Sequence, residues 1–428
     1  MILVDRKLAE REEQCRPIRV GLLGAGFMAR GLVNQIANSV PGMRVTAIAN
    51  RTVQRAADIA GEAGLTPISA TAERLAAGVA DSEVLVTDDP ELLCRADGID
   101  CIVDATGAIE YGAQVTLEAF ASGKPVVSMN AELEGTVGAI LQQRANAAGV
   151  LFTLCDGDQP GVQMNLYRFV RGIGLTPLVC GNIKGLQDPY RTPATQKAFA
   201  ERWGQNPTMV TSFADGTKIS FEQACVANAT GLSIERRGMR GADVDGHVDE
   251  LCAEYDVEQL RALGGVVDYV VGTRPAPGVY VLATHNDPKQ RHYLALYKLG
   301  DGPLYSFYVP YHLCHFEVPL SIARAVDFGD AVLQARRTAP SVDVVATAKQ
   351  DLRAGQRIDG LGGFDTYGQC ETHARTRDAG LLPIGLAEGC VLKRDVSKDQ
   401  VLTHADVERP AGRLIDRLRT EQDAVFTG

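Results

Sequence analysis

The chain is short of several things that would place it at once. No stretch of its 428 residues approaches the run of about 20 apolar residues that a membrane-spanning helix needs. Positive charge is not in excess: 43 Lys and Arg against 53 Asp and Glu give a net charge of −10, which argues against a general nucleic-acid surface. Ten cysteines are scattered with no C-x-x-C pair, so neither a disulfide framework nor a zinc ribbon is indicated. They read as reduced thiols of a cytoplasmic protein. The segment from Met1 to Arg16 is dense in Arg and Glu, has no apolar core, and reads as a short amphipathic helix rather than a signal peptide. No internal repeat or low-complexity tract is present.

What is there is ordinary globular material, 45% apolar and 22% charged, long enough for two or three domains. The informative stretch is Ile18 to Arg51. A buried-strand sequence, Ile18 to Leu23, runs into Gly24-Ala25-Gly26-Phe27-Met28-Ala29, which is G-x-G-x-x-A. In that setting Gly24 permits a tight turn, Gly26 lets the backbone approach a pyrophosphate, and Ala29 lets the following helix pack close. The helix start at Phe27 and Met28 offers unpaired amides and a partial positive charge to phosphates. A second strand, Val45 to Ala49, stops at Asn50-Arg51-Thr52. Where an acid would bind the ribose 2′-hydroxyl of NAD, Arg51 would pair with the 2′-phosphate of NADP. NADP(H) is therefore expected, with NAD the alternative.

Strands and helices then alternate. Ile99–Asp104 ends at Thr106-Gly107, Pro125–Met129 at Asn130, and Val150–Leu154 at Asp156-Gly157-Asp158, which implies a doubly wound parallel sheet with its ligands at those strand ends. The stretch 71–95 reads as an elaboration of the edge. The expected organisation is a Rossmann domain over 1–158, an α+β catalytic and dimerisation domain over 159–343, and a small β-rich module with a terminal helix over 344–428. In the middle domain 185–216 reads as a long polar stretch. The segments near 266–272, 278–285, 293–299 and 304–309 read as antiparallel strands.

Two lysines there lie among glycines and apolar neighbours, Lys184 in Gly181-Asn182-Ile183-Lys184-Gly185 and Lys218 in Asp215-Gly216-Thr217-Lys218. A partly buried lysine can hold an anion, polarise a carbonyl or act as a base. Asp188, Arg191 and Thr192 follow the first. Pro310–Pro319 carries His312, His315 and Glu317, which suit a structural role, the lining of a site or, least of all, a metal. Asp156 and Asp158 could bind a hard cation such as Mg²⁺.

Several of these motifs carry a family resemblance. Gly24-x-Gly26-x-x-Ala29, Asp104-Ala105-Thr106-Gly107 and Ser128-Met129-Asn130 resemble the cofactor domain of homoserine dehydrogenases. Asp156–Gly161, Gly181–Gly185, Thr211–Lys218 and Ala227–Gly231 resemble the related group that includes the deoxyxylulose-5-phosphate reductoisomerase-like enzymes. Leu382–Gly389 looks like the SAF-type module such proteins carry. One departure stands out. Homoserine dehydrogenases place a lysine after the asparagine, and here Asn130 is followed by Ala131 and Glu132.

The resemblance implies an NADPH-dependent conversion of 1-deoxy-D-xylulose 5-phosphate to 2-C-methyl-D-erythritol 4-phosphate, a step of isoprenoid precursor synthesis. In it Lys184, Lys218 and Arg191 would supply positive charge, Asp215 or Asp156 a base, and Asn182 the orientation of a substrate hydroxyl. Arg191, Thr192, Asp158 and His312 would line the substrate. Phe27, Met28, Asn50, Thr106, Gly107 and Asn130 would line the coenzyme. The alternatives are a dehydrogenase or oxidoisomerase of a sugar acid or homoserine-like hydroxy acid, and a nucleotide-sensing protein without turnover. The expected partners are a small phosphorylated or carboxylated molecule and a second copy of the chain, with neither nucleic acid nor membrane.

Overall fold

The structure, a computed structural model, describes residues 3–426. The protein is α/β and folds as two compact units. The first comprises the described residues up to Leu133 together with Ile140–Gly161 and Leu313–Gln334; the second comprises Glu134–Ala139, Val162–His312 and the described residues from Ala335.

Seven strands build the sheet of the first unit: β1 (Ile18–Leu23), β2 (Met43–Ala49), β3 (Thr66–Ser69), β4 (Glu83–Thr87), β5 (Cys101–Asp104), β6 (Val126–Ser128) and β7 (Phe152–Leu154). Their order is β3-β4-β2-β1-β5-β6-β7, and all pairings are parallel. The central strands are nearly continuous apolar runs because helices cover both faces of a parallel sheet. Ile18, Val20 and Leu22 of β1 pack with Leu32, Val33 and Ile36, the apolar stripe of the helix Phe27–Ser39. The chain leaves β1 toward β2 on one side and is completed by β5 on the other, so a crevice for ligands opens at their carboxyl ends. The stretch 71–95 does more than decorate the edge: it supplies β4, which enters the sheet between β2 and β3.

The amino-terminal segment forms the helix Val4–Glu13, buries Val4 and Leu8, and pairs Arg11 with Asp327 at 2.6 Å. Leu313–Gln334, assigned from sequence to the middle domain, belongs to the first unit. Its Val318, Ile322 and Ala323 complete the apolar core, and Leu333 bridges to Leu154.

The second unit has a five-stranded sheet in the order β12-β11-β8-β10-β9, made of β8 (Thr176–Lys184), β9 (Ala242–Asp243), β10 (Val266–Val271), β11 (Gly278–Thr284) and β12 (Leu304–Val309). Three sequence expectations change here. β10 runs parallel to β8, because the intervening chain is long enough to form a crossover. Residues 293–299 are not a strand: Asp287 caps Lys289 N at 2.8 Å and Pro288 opens the helix Pro288–Leu296. The polar stretch 185–216 contains the helices Pro193–Trp203 and Pro207–Ala214, each started by a proline behind a capping Thr192 or Asn206. The terminal segment pairs β13 (Val342–Ala348) with β14 (Thr366–Thr372) and β15 (Val391–Leu392) with β16 (Val407–Glu408). The closing helix Leu414–Val425 is held by Arg419, whose guanidinium meets Asp343 at 2.7 Å while His373 meets the same carboxylate at 2.7 Å.

One buried carboxyl affects stability. The helix Ala131–Ala148 kinks at Val137, where φ is −141° and ψ is 20°. Its Glu134 is buried over Gly138, whose lack of a side chain makes room for the carboxyl, and one carboxyl oxygen has no hydrogen-bond partner. Burial pushes its pKa up to about 8. The unfolded chain ionises this group near 4.5. Between those values the folded state binds the extra proton, so the stability from this site is complete below pH ~4.5 and is lost as pH rises through about 8. Glu134→Gln should therefore stabilise the protein at pH 9 relative to pH 5 by on the order of 4 kcal/mol, read by denaturant unfolding at the two pH values. Equal stability changes at both would show that the carboxyl is solvated.

Candidate active site

In the first unit, the geometry at the ends of β1, β2, β5 and β6 suits a dinucleotide. Gly24 adopts φ +105°, and a side chain there would press on the Ala105 carbonyl at 3.0 Å. Gly24 N also donates to Ala49 O at 2.9 Å, which brings the turn beside the end of β2. Gly26 precedes the helix Phe27–Ser39 without a side-chain cap, and a Cβ on it would meet nothing within 4 Å. An uncapped helix start facing open space is the cradle a pyrophosphate fills, with the amides of Phe27 and Met28 in the first turn. A nicotinamide dinucleotide fits these residues and, when bound, supplies the hydride chemistry.

Arg51 is exposed just beyond β2, and Asn50 Nδ2 donates to Thr52 O at 2.8 Å, shaping the turn that presents it. Arg51→Asp should cost NADPH about 10- to 100-fold in affinity, the scale of a lost charge-assisted contact, and shift preference toward NADH in titrations with both coenzymes. A preference for NADH in the unaltered protein would remove the 2′-phosphate argument.

Asp104, fully buried at the end of β5, organises the next loop. Its Oδ1 accepts from Thr106 N at 2.9 Å and Thr106 Oγ1 at 2.6 Å, and Asn130 Nδ2 donates to its Oδ2 at 3.2 Å. Burial raises the Asp104 pKa, against which the Thr106 and Asn130 hydrogen bonds work. Asn130 also donates to Ala108 O at 3.0 Å and accepts from Leu133 N at 3.0 Å. Its side chain therefore ties two strand ends and caps a helix, which leaves Thr106 and Gly107, at φ +63°, on the more open side of the loop. Ala131, where homoserine dehydrogenases have lysine, is buried.

Asp156 lies behind its loop and pairs with the fully buried Arg324 at 3.2 Å, while Ser321 Oγ donates to its Oδ2 at 3.2 Å. Arg324 also meets Asp330 at 2.7 Å. Asp158 is half-buried and its Oδ1 accepts from Gln159 N at 3.1 Å. Gly157, at φ +83°, exists because a Cβ would strike the Cys314 carbonyl at 2.2 Å. The His315 ring packs on Gly31 of the dinucleotide helix, and burial lowers its pKa. Glu317 Oε1 accepts from Leu313 N at 3.0 Å, holding that turn. Among the described residues no group of three His, Cys, Asp or Glu is arranged to hold a metal ion.

The second unit brings the half-buried Lys184 near the buried Asn182 and Asp215. Asn182 and Lys184 close β8; Asp215 ends the helix Pro207–Ala214 just before the left-handed Gly216. Asn182 Nδ2 donates to Glu222 Oε2 at 3.1 Å, and Gln163 Nε2 donates to Asn182 Oδ1 at 2.6 Å. Lys184, half-buried, donates to Phe213 O at 2.7 Å. Desolvation lowers its pKa, and the negative charges of Glu222 and Asp215 oppose that shift. Asp215 is pushed up by burial, with the Lys349 ammonium at 2.7 Å opposing.

Gln163, Glu222 and Lys349 escaped the sequence reading. Glu222 and Gln163 carry one available signal, a polar residue on a helix that is otherwise apolar on the same turns. Lys349 carries none, because its partner is 134 residues away in sequence, the difference between positions 349 and 215. Two other expected site residues have local partners, and a third lies at a helix start. Thr192 caps the helix Pro193–Trp203, Arg191 pairs with Asp188 at 2.9 Å, and Lys218 sits half-exposed in the first turn of the helix Thr217–Thr230. His312 is half-buried in the turn after β12.

Two family models match the chain. Residues 24–153 match the family model described as homoserine dehydrogenase, NAD binding domain, and residues 157–318 match that of oxidoreductase DRL, catalytic domain. No curated protein matches the chain in sequence. Similar solved structures include an NAD binding oxidoreductase from Klebsiella pneumoniae, 17% identical over 40% of this chain and 43% of that one, with a TM-score of 0.29. A probable dehydrogenase from Thermotoga maritima is 12% identical over 73% of this chain and 90% of its own, with a TM-score of 0.42. A putative myo-inositol dehydrogenase from Sinorhizobium meliloti 1021 is 11% identical over the same shares, with a TM-score of 0.41. The two family models, one for each half of the chemistry, make the chain an NAD(P)-dependent oxidoreductase. Among the described residues no helix is long and apolar enough to cross a membrane.

Proposed function

We propose that the protein is an NADPH-dependent reductoisomerase-type enzyme that takes 1-deoxy-D-xylulose 5-phosphate, or a closely similar phosphorylated keto-sugar, to its rearranged and reduced product. The observation that carries this reading is the amine–carboxylate cluster of Lys184, Asp215 and Glu222. A keto-sugar that rearranges before reduction needs a proton removed from a hydroxyl and positive charge at a carbonyl oxygen. Lys184, with its pKa drawn down by desolvation, supplies that charge and returns a proton to the oxygen. Asp215 is the candidate base. Asn182, its carbonyl and amide both engaged, turns toward the substrate only through the orientation it gives Glu222. Arg191, Thr192, Asp158 and His312 are the candidates for lining the substrate, with Arg191 and Lys218 suited to its phosphate. The coenzyme side is assigned to Gly24, Gly26, Phe27, Met28, Asn50, Arg51, Thr106 and Gly107, with Asn130 as a positioning residue. The terminal segment is read as an SAF-like module on its sequence, and a homodimer in the cytoplasm is part of the same reading.

The decisive experiment is complementation of a strain lacking the ordinary reductoisomerase, paired with NADPH oxidation by the purified protein on 1-deoxy-D-xylulose 5-phosphate. Rescue and turnover together support the reading. Failure of both, with turnover on a sugar acid, would replace it with the sugar-acid dehydrogenase that the same lysines could serve by holding a carboxylate.

A further inference from the structure

The terminal β-rich segment contributes a charged side chain to the interior of the second unit. Lys349 directly follows β13, and its side chain is only 2% exposed. An ammonium has three hydrogens to place. Here two are donated, to Gly363 O at 2.7 Å and Arg191 O at 2.9 Å, and the charge stands 2.7 Å from Asp215 Oδ2. A buried lysine costs several kcal/mol unless it is paired and fully hydrogen-bonded. This one is paired with Asp215, its one carboxylate partner among the described residues, and donates to two backbone carbonyls.

The surroundings hold that geometry on every side. Asp215 Oδ1 accepts from Thr217 N at 2.8 Å, so the carboxylate is held by a backbone amide on one oxygen and by the Lys349 charge at the other. Gly368 N donates to Thr217 Oγ1 at 2.9 Å, and Ser220 Oγ donates to Gly368 O at 3.0 Å, stitching β14 to the turn that carries Asp215. Gly362, at φ +67°, sits so close to the Thr208 carbonyl that a Cβ would meet it at 2.1 Å. The groups facing Asp215 are thus Lys349 from the terminal segment, Thr217 from its own turn and Lys184 from β8, with Glu222 facing Lys184 from the helix Thr217–Thr230.

We propose that Lys349 is a positioning residue for this cluster, fixing Asp215 as a charged neighbour of Lys184, so that the terminal segment completes the acid–base machinery. The proposal rests on the reading of Lys184 and Asp215 as the reacting pair. It also gives the terminal segment a task that a detachable module would not have. With Lys349 removed, Asp215 loses its counter-charge and takes up a proton, and Lys184 then loses one of the two anions that hold its own proton on.

The test follows Lys184 directly, without needing the substrate. Its reactivity toward acetic anhydride is measured against pH in the full-length protein, by peptide mass spectrometry, in the wild type, Lys349→Met, Lys349→Arg and Asp215→Asn. Lys349→Met and Asp215→Asn should each lower the Lys184 titration midpoint by about one pH unit, raising its labelling about tenfold below that midpoint. Lys349→Arg, which keeps the charge, should stay near the wild type. An unchanged Lys184 profile in a folded Lys349→Met protein would overturn the proposal and leave Lys349 a structural anchor. If that variant fails to fold, an unchanged profile in Asp215→Asn overturns it equally. Full turnover in Lys184→Ala would instead sink the catalytic reading while leaving the labelling result intact.

Discussion

Lys184→Ala should lower kcat by about three orders of magnitude, within the range for loss of a positioned acid–base group, and leave NADPH affinity within about twofold. The separation follows from where the groups lie. The proposed coenzyme cradle of Gly24, Gly26 and Arg51 is in the first unit, whereas Lys184 belongs to the second. Because desolvation holds the Lys184 pKa below the ordinary lysine value, a rate that needs its proton should fall as pH rises through a midpoint below about 10.4. Single-turnover kinetics across pH and a coenzyme titration by fluorescence check both parts. Unaltered turnover in Lys184→Ala would remove the residue from the chemistry.

Arg324→Ala should destabilise the protein by about 3–5 kcal/mol, the scale expected when one partner of a buried ion pair is deleted. Arg324 is 1% exposed, lies in a single π-helical turn and joins Asp156 to Asp330. Its loss deprives a buried carboxylate of its arginine. Arg324→Lys should recover only part of the loss, since one ammonium cannot reproduce a planar fork between two carboxylates. Denaturant unfolding measures the effect. Asp156→Asn then separates structure from chemistry. A fall in stability with kcat in the folded fraction retained within about tenfold is expected from the ion pair. A collapse of kcat at unchanged stability would return Asp156 to the role of base.

Much of the first unit was legible in the order of residues because its signals are local. Gly24 is required by the backbone geometry of its turn, Gly26 leaves the helix start open, and the apolar runs of β1, β5 and β6 mark their buried parallel strands. The residues at those strand ends, Arg51 and Thr106 among them, follow from the same pattern. The second unit was harder. Its helix Pro288–Leu296 buries no side chain, so no amphipathic stripe distinguished it from a strand, and only the Asp287-Pro288 start gave it away. The region 185–216 hid two helices behind capping residues whose polarity looked like loop.

Sequence by itself thus determined the nucleotide-binding half and the α/β class, and singled out Lys184, Asn182 and Asp215 as candidates, because turn chemistry and strand periodicity act over a few residues. Tertiary structure alone decided that Asp156 is tied to Arg324, that Leu313–Gln334 returns to the first core, and that Lys349 stands against Asp215. Those are pairings of buried charges and apolar faces far apart along the chain, and the free energy that selects them exists only once water has been excluded from between them.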